Sequence, residues 1–212
     1  MSIEYENLIN SLIKDGYLKT PAIIEAFQNI DRADFVLEEH KIDAYVNAPL
    51  PIGFEQTISQ PLTVAFMLEL FEPKPGEKIL DIGSGSGWVT AIMAYIVAEE
   101  GKIIGIERIP ELAQMTERNV AKYGFIEKKI VEVINADGSK GYRKEAPYDK
   151  IIAGAAAAGD VPIAWKKQLK IGGRIVAPVE NSVIVIDKVG KNKYEKREYF
   201  GFSFVPLVKD GA

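Results

Sequence analysis

The stretch Ile79-Leu80-Asp81-Ile82-Gly83-Ser84-Gly85-Ser86-Gly87 decides the fold. Its first four residues, apolar except Asp81, form the short run expected of a strand buried on both faces. Glycine at alternate positions then permits a tight turn whose backbone can lie directly against a ligand. The apolar pattern over 89–98 predicts a helix. Strand, glycine turn and helix in that order put the turn at the carboxyl end of a strand, where open α/β sheets bind their ligands.

Downstream, the same rhythm repeats. Residues 102–107 predict the second strand and 110–123 the second helix, with Pro110 at its start. Strands follow at 130–134 and 150–153, a helix at 161–169 and a fifth strand at 174–179. Strands separated by helices mean right-handed crossovers and a parallel sheet. Only Glu180-Asn181-Ser182 separate Val179 from Val183, so 183–189 must turn back antiparallel beside the fifth strand. The run 191–197 reads as a hairpin tip and 200–207 as the last strand. The expected fold is α/β: a Rossmann-like, doubly wound, mostly parallel seven-stranded sheet of order 3-2-1-4-5-6-7, with strand six antiparallel.

Upstream, Leu8, Leu12 and Ile13 recur at helical spacing, and Thr20-Pro21 starts a second helix with Ile23, Ile24 and Phe27 on one face. Residues 45–57, with Pro49, Pro51 and Gly53, read as irregular loop. Gln60-Pro61 restarts a helix through Val64, Met67, Leu68 and Phe71. The chain is expected to form one domain: an N-terminal helical, substrate-side segment over 1–76 and a Rossmann-like core over 77–212.

Composition narrows the function. The 212 residues are 47% hydrophobic and 26% charged, with a net charge of −4. Acids and bases are mixed along the chain, which argues against a nucleic-acid partner. Absence of cysteine excludes disulfides, thiolate zinc sites and a cysteine nucleophile. The single histidine, His40, lies in a charged segment and reads as solvated, which argues against a metal site. Met67, Met93 and Met115 fit helix faces as core filler. No apolar run spans a bilayer, and Glu4, Glu6 and Lys14 deny the N-terminus a signal-peptide character, so the cytoplasm is the expected location and no membrane is expected as a partner.

The glycine spacing bears on the ligand. A dinucleotide fingerprint, G-x-G-x-x-G, would need its third glycine at Trp88, a bulky residue where close approach is required; Gly87 comes one place early. G-x-G-x-G with Asp81 two residues before it resembles motif I of class I methyltransferases, which bind a nucleoside carrying an amino-acid tail. Glu107, at the end of the second strand, suits both hydroxyls of a ribose, although a solvated acid is the plainer reading of such a residue. Asp137-Gly138 is by itself a turn signal; in the resembling families an acid after strand three reaches the adenine amino group. After strand four, Ala153-Gly154-Ala155-Ala156-Ala157 replaces the Asn/Asp-Pro-Pro-aromatic motif of enzymes that methylate base amines. Small residues there let a peptide backbone come close.

A more specific resemblance lies upstream. Pro51-Ile52-Gly53-Phe54-Glu55-Gln56-Thr57-Ile58-Ser59-Gln60-Pro61 resembles the signature of the protein-L-isoaspartate O-methyltransferases, whose core is Gln-Thr-Ile-Ser followed closely by Pro. Asp31 to Phe35, Glu107 to Leu112, Asp137 to Ser139, Ala146 to Asp149, Ala155 to Ala157 and Phe204-Val205-Pro206-Leu207 match the family as well. The resemblance implies S-adenosyl-L-methionine as cofactor and S-adenosyl-L-homocysteine as product. It implies catalytic roles for Ser59 and Asp81. Its cofactor contacts would be Gln56, Thr57, Ile58, Ser59, Asp81, Gly83, Ser84, Gly85, Gly87, Glu107, Arg108, Asp137 and Gly138. Its substrate contacts would be Thr57, Ile58, Ser59, Ala155 and Ala156. Ser59, read alone, is equally a helix cap ahead of Pro61. The implied reaction is methylation of the carboxylate of L-isoaspartyl, and D-aspartyl, residues in damaged proteins by a monomer, initiating repair through a succinimide. Two departures, Glu55 before the Gln and the short 180–182 turn, leave a methyltransferase acting on another peptide or small acid, or a non-catalytic cofactor-binding homologue, as alternatives. A nicotinamide oxidoreductase is a third, and the position of Trp88 argues against it.

Overall fold

The computed structural model describes residues 1–208; residues 209–212, the end of the expected core segment, lie outside the described residues. Strand β3 (Lys78–Ile82) is the centre of the molecule. It pairs in parallel with β4 (Lys102–Glu107) on one side and β6 (Tyr148–Ala153) on the other. Outside β4 lies β5 (Val131–Asn135), and outside β6 lie β7 (Leu169–Val179), β8 (Ser182–Gly190) and β9 (Lys193–Phe200). The order β5-β4-β3-β6-β7-β8-β9 is the expected one, with β8 antiparallel to both neighbours.

Alternation along the strands divides the core into two faces. Ile79, Ile103, Ile152 and Val176 point into one buried cluster, whereas Leu80, Ile104, Ile151 and Ile175 point into the other. The first face is covered by α3 (Pro61–Phe71), α4 (Trp88–Val97) and α5 (Pro110–Ala121), with α1 (Ile3–Lys14) and α2 (Pro21–Asn29) outside them. The second is covered by α6 (Ile163–Gln168), whose Trp165 is fully buried. Helix α4 is apolar nearly all round because it is enclosed by the sheet and by α2; Phe27 meets Trp88 edge-on at 5.5 Å. Among the described residues, no helix is long and apolar enough to cross a membrane.

Three expectations change. Residues 45–57 are not all irregular: β1 (Leu50–Gly53) and β2 (Gln56–Ile58) form an antiparallel hairpin. Its turn uses positive φ at both Phe54 and Glu55, residues that carry no turn signal, so the pattern hides it. The last strand is Lys193–Phe200, not 200–207, and the turn before it is confined to Lys191-Asn192. A strand so rich in charge lacks the apolar alternation by which strands are recognised; it is exposed along the sheet edge. Finally, β7 begins at Leu169, so α6 is shorter than the pattern suggests.

The N-terminal segment is tied to the core by polar contacts as well as packing. The Tyr123 hydroxyl accepts the Asp31 N–H at 2.9 Å and donates to Asp34 Oδ2 at 2.7 Å. Glu69 on α3 accepts the N–H groups of Lys19 and Thr20 and the Thr20 hydroxyl; Thr20 starts α2 without capping it through its own side chain. Tyr123→Phe removes both bonds of its hydroxyl and is expected to lower stability by about 1–2 kcal/mol in urea unfolding.

Candidate active site

The carboxyl ends of β3, β4 and β6 open onto a cleft, and residues 83–86 of the glycine turn form its floor. Gly83, Gly85 and Gly87 have φ of +76°, +56° and +88°, a region that side chains rarely tolerate. The turn is braced on every side. The N–H groups of Gly83 and Ser84 both reach the Ile106 carbonyl, at 2.8 and 3.1 Å. Thr116 on α5 donates to the Gly85 carbonyl at 2.8 Å, and Asn119, one turn on, donates to the Ser86 carbonyl at 2.9 Å.

Glu107 closes β4 and is buried. One carboxylate oxygen accepts the Gly85 N–H at 3.1 Å and the other the Ile109 N–H at 2.9 Å. Each oxygen keeps a lone pair for a hydroxyl donor. Asp81 is 3% exposed, and Thr90 donates to its Oδ2 at 2.5 Å. Burial pushes its carboxyl up to about 6; the Thr90 bond works against the shift and the nearby Glu107 charge adds to it. Asp81 has no cationic partner among the described residues.

Most of the expected site residues meet here. Asp81, Gly83, Ser84 and Gly85 line the cleft, with Glu107, Arg108 and Gly138 along one wall. The β1–β2 hairpin and its exit supply Gln56, Thr57, Ile58 and Ser59, and Ala155 follows β6. Three residues stand behind the surface. Gly87 faces α5, where a Cβ would lie 3.1 Å from Val120. Asp137 is buried beneath its turn and accepts the Ser139 N–H at 2.9 Å, with Lys140 3.2 Å away. Ala156 exchanges main-chain bonds of 2.8 Å with Val205 and Leu207. That exchange hangs the chain end from 204 onward over the cleft. Phe204, Val205, Pro206 and Leu207 thus join the lining, although sequence reasoning placed them only in a distant matching motif. Trp88 and the Asp81 partner Thr90 were also missed, since no local pattern distinguishes them from core, and Ile52 was named only within the matching signature.

Beside the cleft lies a second depression, which shares Thr57, Ser59, Gly154, Phe204 and Val205 with it. Ser59 therefore stands where the two meet. It does not cap α3: Gln60 holds that position, without a side-chain cap bond. Glu55 is exposed at the hairpin tip and lines neither space. The short turn after β7 serves the site indirectly, because the Asn181 carbonyl accepts the N–H groups of Gly201 and Phe202 and steers the chain toward 204. His40 is partly covered, 3.7 Å from Glu39 and away from the cleft. Among the described residues, no cluster has metal-ligand character.

The order of the sheet, with a glycine-floored cleft and a ribose-suited acid at its carboxyl edge, defines a class I S-adenosylmethionine-dependent methyltransferase. The family model for protein-L-isoaspartate(D-aspartate) O-methyltransferase matches residues 3–212. The protein-L-isoaspartate O-methyltransferase of Ignicoccus hospitalis is 44% identical over 99% of this chain and 100% of its own, and that of Methanopyrus kandleri is 42% identical over 96% and 90%. A solved Plasmodium falciparum structure of the same description, in complex with S-adenosyl-L-homocysteine, superposes with a TM-score of 0.86 at 25% identity, covering 97% of this chain and 99% of that one. The chain belongs to the protein-L-isoaspartate(D-aspartate) O-methyltransferase family.

The residues present suit S-adenosylmethionine. Glu107 turns a fixed carboxylate toward the cleft, Gly85 keeps the slot beneath Ile52 open, and Asp81 offers a buried acid with no cation of its own. The raised Asp81 carboxyl has a thermodynamic consequence. Well below pH 4 it is protonated in the folded and unfolded states alike; as pH rises from there toward about 6, only the unfolded state ionises it freely, and stability falls. Between pH 4 and pH 7 the ligand-free protein is expected to lose roughly 2 kcal/mol relative to Asp81→Asn, measured as the difference between their urea unfolding free energies.

Proposed function

We propose that this chain transfers a methyl group from S-adenosyl-L-methionine to the side-chain carboxylate of L-isoaspartyl residues, and of D-aspartyl residues, in damaged proteins. The observation that carries the reading is the junction of the two spaces at Ser59, in a chain of this family. When bound, the donor supplies an electrophilic methyl on a sulfonium centre.

In this reading, Glu107 accepts hydrogen bonds from the ribose hydroxyls, with Arg108 beside it. Gly83, Ser84 and Gly85 let the amino-acid tail lie against the main chain, and Gly87 sets the start of α4 behind them. Asp137 shapes the turn that presents Gly138 to the adenine edge. Gln56, Thr57 and Ile58 cover the donor from the hairpin. Asp81 faces the cationic centre. The Ser59 hydroxyl donates to the acceptor carboxylate, while Thr57, Ile58, Ala155 and Ala156 hold the peptide around it.

An acceptor carboxylate is ionised at neutral pH, with an ordinary pKa of about 4, so no general base is required. The work left to the protein is alignment and exclusion of water. Attack of an anion on a cation cancels charge, so apolar walls such as Ile52, Trp88 and Phe204 favour it over bulk water. The methyl ester then closes to a succinimide as the following peptide nitrogen displaces methanol, and hydrolysis of the succinimide yields partly normal aspartate. This reading takes the protein as a monomer and puts it in the cytoplasm.

With labelled donor, an isoaspartyl peptide is expected to be methylated and its L-aspartyl counterpart not; labelling of neither rejects the reading. Ser59→Ala is expected to lower kcat by about tenfold or more while S-adenosyl-L-homocysteine affinity stays within about twofold. Glu107→Gln is expected to weaken that affinity by about 10–100-fold in calorimetry, the loss of charge-assisted bonds.

A further inference from the structure

Arg32 is 0% exposed, yet no carboxylate pairs with it among the described residues. Its Nη1 donates to the carbonyls of Ala44 and Val46, at 2.5 and 3.4 Å, and its Nη2 to those of Ala48 and Ser59, at 2.9 and 3.2 Å. The Nε–H is buried without a partner. The guanidinium lies 5.3 Å over the ring of Trp88, the first residue of α4 and a wall of the donor cleft. Burial draws the pKa down to about 10, which leaves the group charged at neutral pH.

Asn47 tightens the same knot. Its side-chain oxygen accepts the Leu62 N–H at 3.0 Å, filling the capping role that Gln60 does not, and its carbonyl accepts from Gln60 Nε2 at 3.0 Å. The main chain at Ser59 is therefore held from a segment more than ten residues away, by a planar fork that gathers carbonyls from 44, 46, 48 and 59 onto one cation. A lysine ammonium has three donors and no plane, so it cannot reproduce that arrangement.

We propose that Arg32 is a positioning residue for methyl transfer: by fixing the Ser59 carbonyl against the 44–48 segment and the Trp88 ring, it sets the direction of the Ser59 hydroxyl toward the acceptor. The proposal rests on the reading of Ser59 given above. It separates Arg32 from residues that only stabilise the fold, because its kinetic effect must pass through one hydroxyl.

The experiment is a double-mutant cycle with an isoaspartyl peptide, using Arg32→Lys, Ser59→Ala and the pair, all assayed well below their unfolding midpoints. Alone, Arg32→Lys is expected to lower kcat about tenfold, with S-adenosyl-L-homocysteine affinity within about twofold; in the Ser59→Ala background it is expected to cost less than about twofold more. The exposed Asn47→Ala variant unties the same strand from the surface and is expected to give the same non-additive pattern in smaller measure, so the cycle can be run on it should Arg32→Lys fail to fold. Losses that multiply, with the same factor whether or not the Ser59 hydroxyl is present, overturn the proposal and leave the role of Ser59 standing. Unchanged turnover in Ser59→Ala alone removes that role, and the proposal with it.

Discussion

The site depends on holding a run of glycines open in the absence of ligand. Left to itself, a turn with glycine at 83, 85 and 87 has wide conformational freedom, and ordering it would weigh against binding. The structure removes that freedom from outside. The Ile106 carbonyl takes two successive N–H groups, Glu107 takes a third, and Thr116 and Asn119 reach up from α5 to hold the carbonyls. Every brace comes from β4 or from the helix that follows it. One βα unit thus shapes the pocket, while its neighbour contributes the floor of the cleft. The same α5 leads directly to Tyr123, so the helix that holds the turn is also tied to the N-terminal segment.

Two buried charges show different solutions to the same difficulty. Arg32 is surrounded by main-chain carbonyls that satisfy most of its donors without neutralising it. Asp81 is given a single hydroxyl partner and a second acid nearby, and it responds by resisting ionisation. An arginine cannot shed its proton at this depth, so it must be solvated by the fold; a carboxyl can, so it can be left waiting for a cation.

The parallel half of the sheet was legible because its strands and helices carry strong, distinct periods, and because Gly83, Gly85 and Gly87 mark the tight turn that follows the central strand. Glu107 and Asp137 were picked out by their place at strand ends; Glu107 reaches the cleft and Asp137 lies behind it. What sequence reasoning missed depends on long-range contact. Nothing near Asp81 points to Thr90, and nothing near Ser59 points to Arg32 or Asn47. Phe204 to Leu207 enter the site only because Ala156 pairs with them, an isolated bridge with no periodic pattern. The β1–β2 hairpin escaped for a different reason: Phe54 and Glu55 occupy backbone conformations that glycine or asparagine usually announce. The extent of β9 escaped because Lys193, Glu195, Lys196, Arg197 and Glu198 conceal a strand beneath a polar composition.

That last disguise bears on how such a molecule can live among unfolded polypeptides. Among the described residues, strand β9 has a neighbour on one side only, and its open flank is an unpaired ladder able to accept an extended chain. Lining it with alternating cations and anions makes annexation by a wandering segment costly, because those charges would have to shed their water. An extended segment of another chain therefore meets a rim that resists pairing.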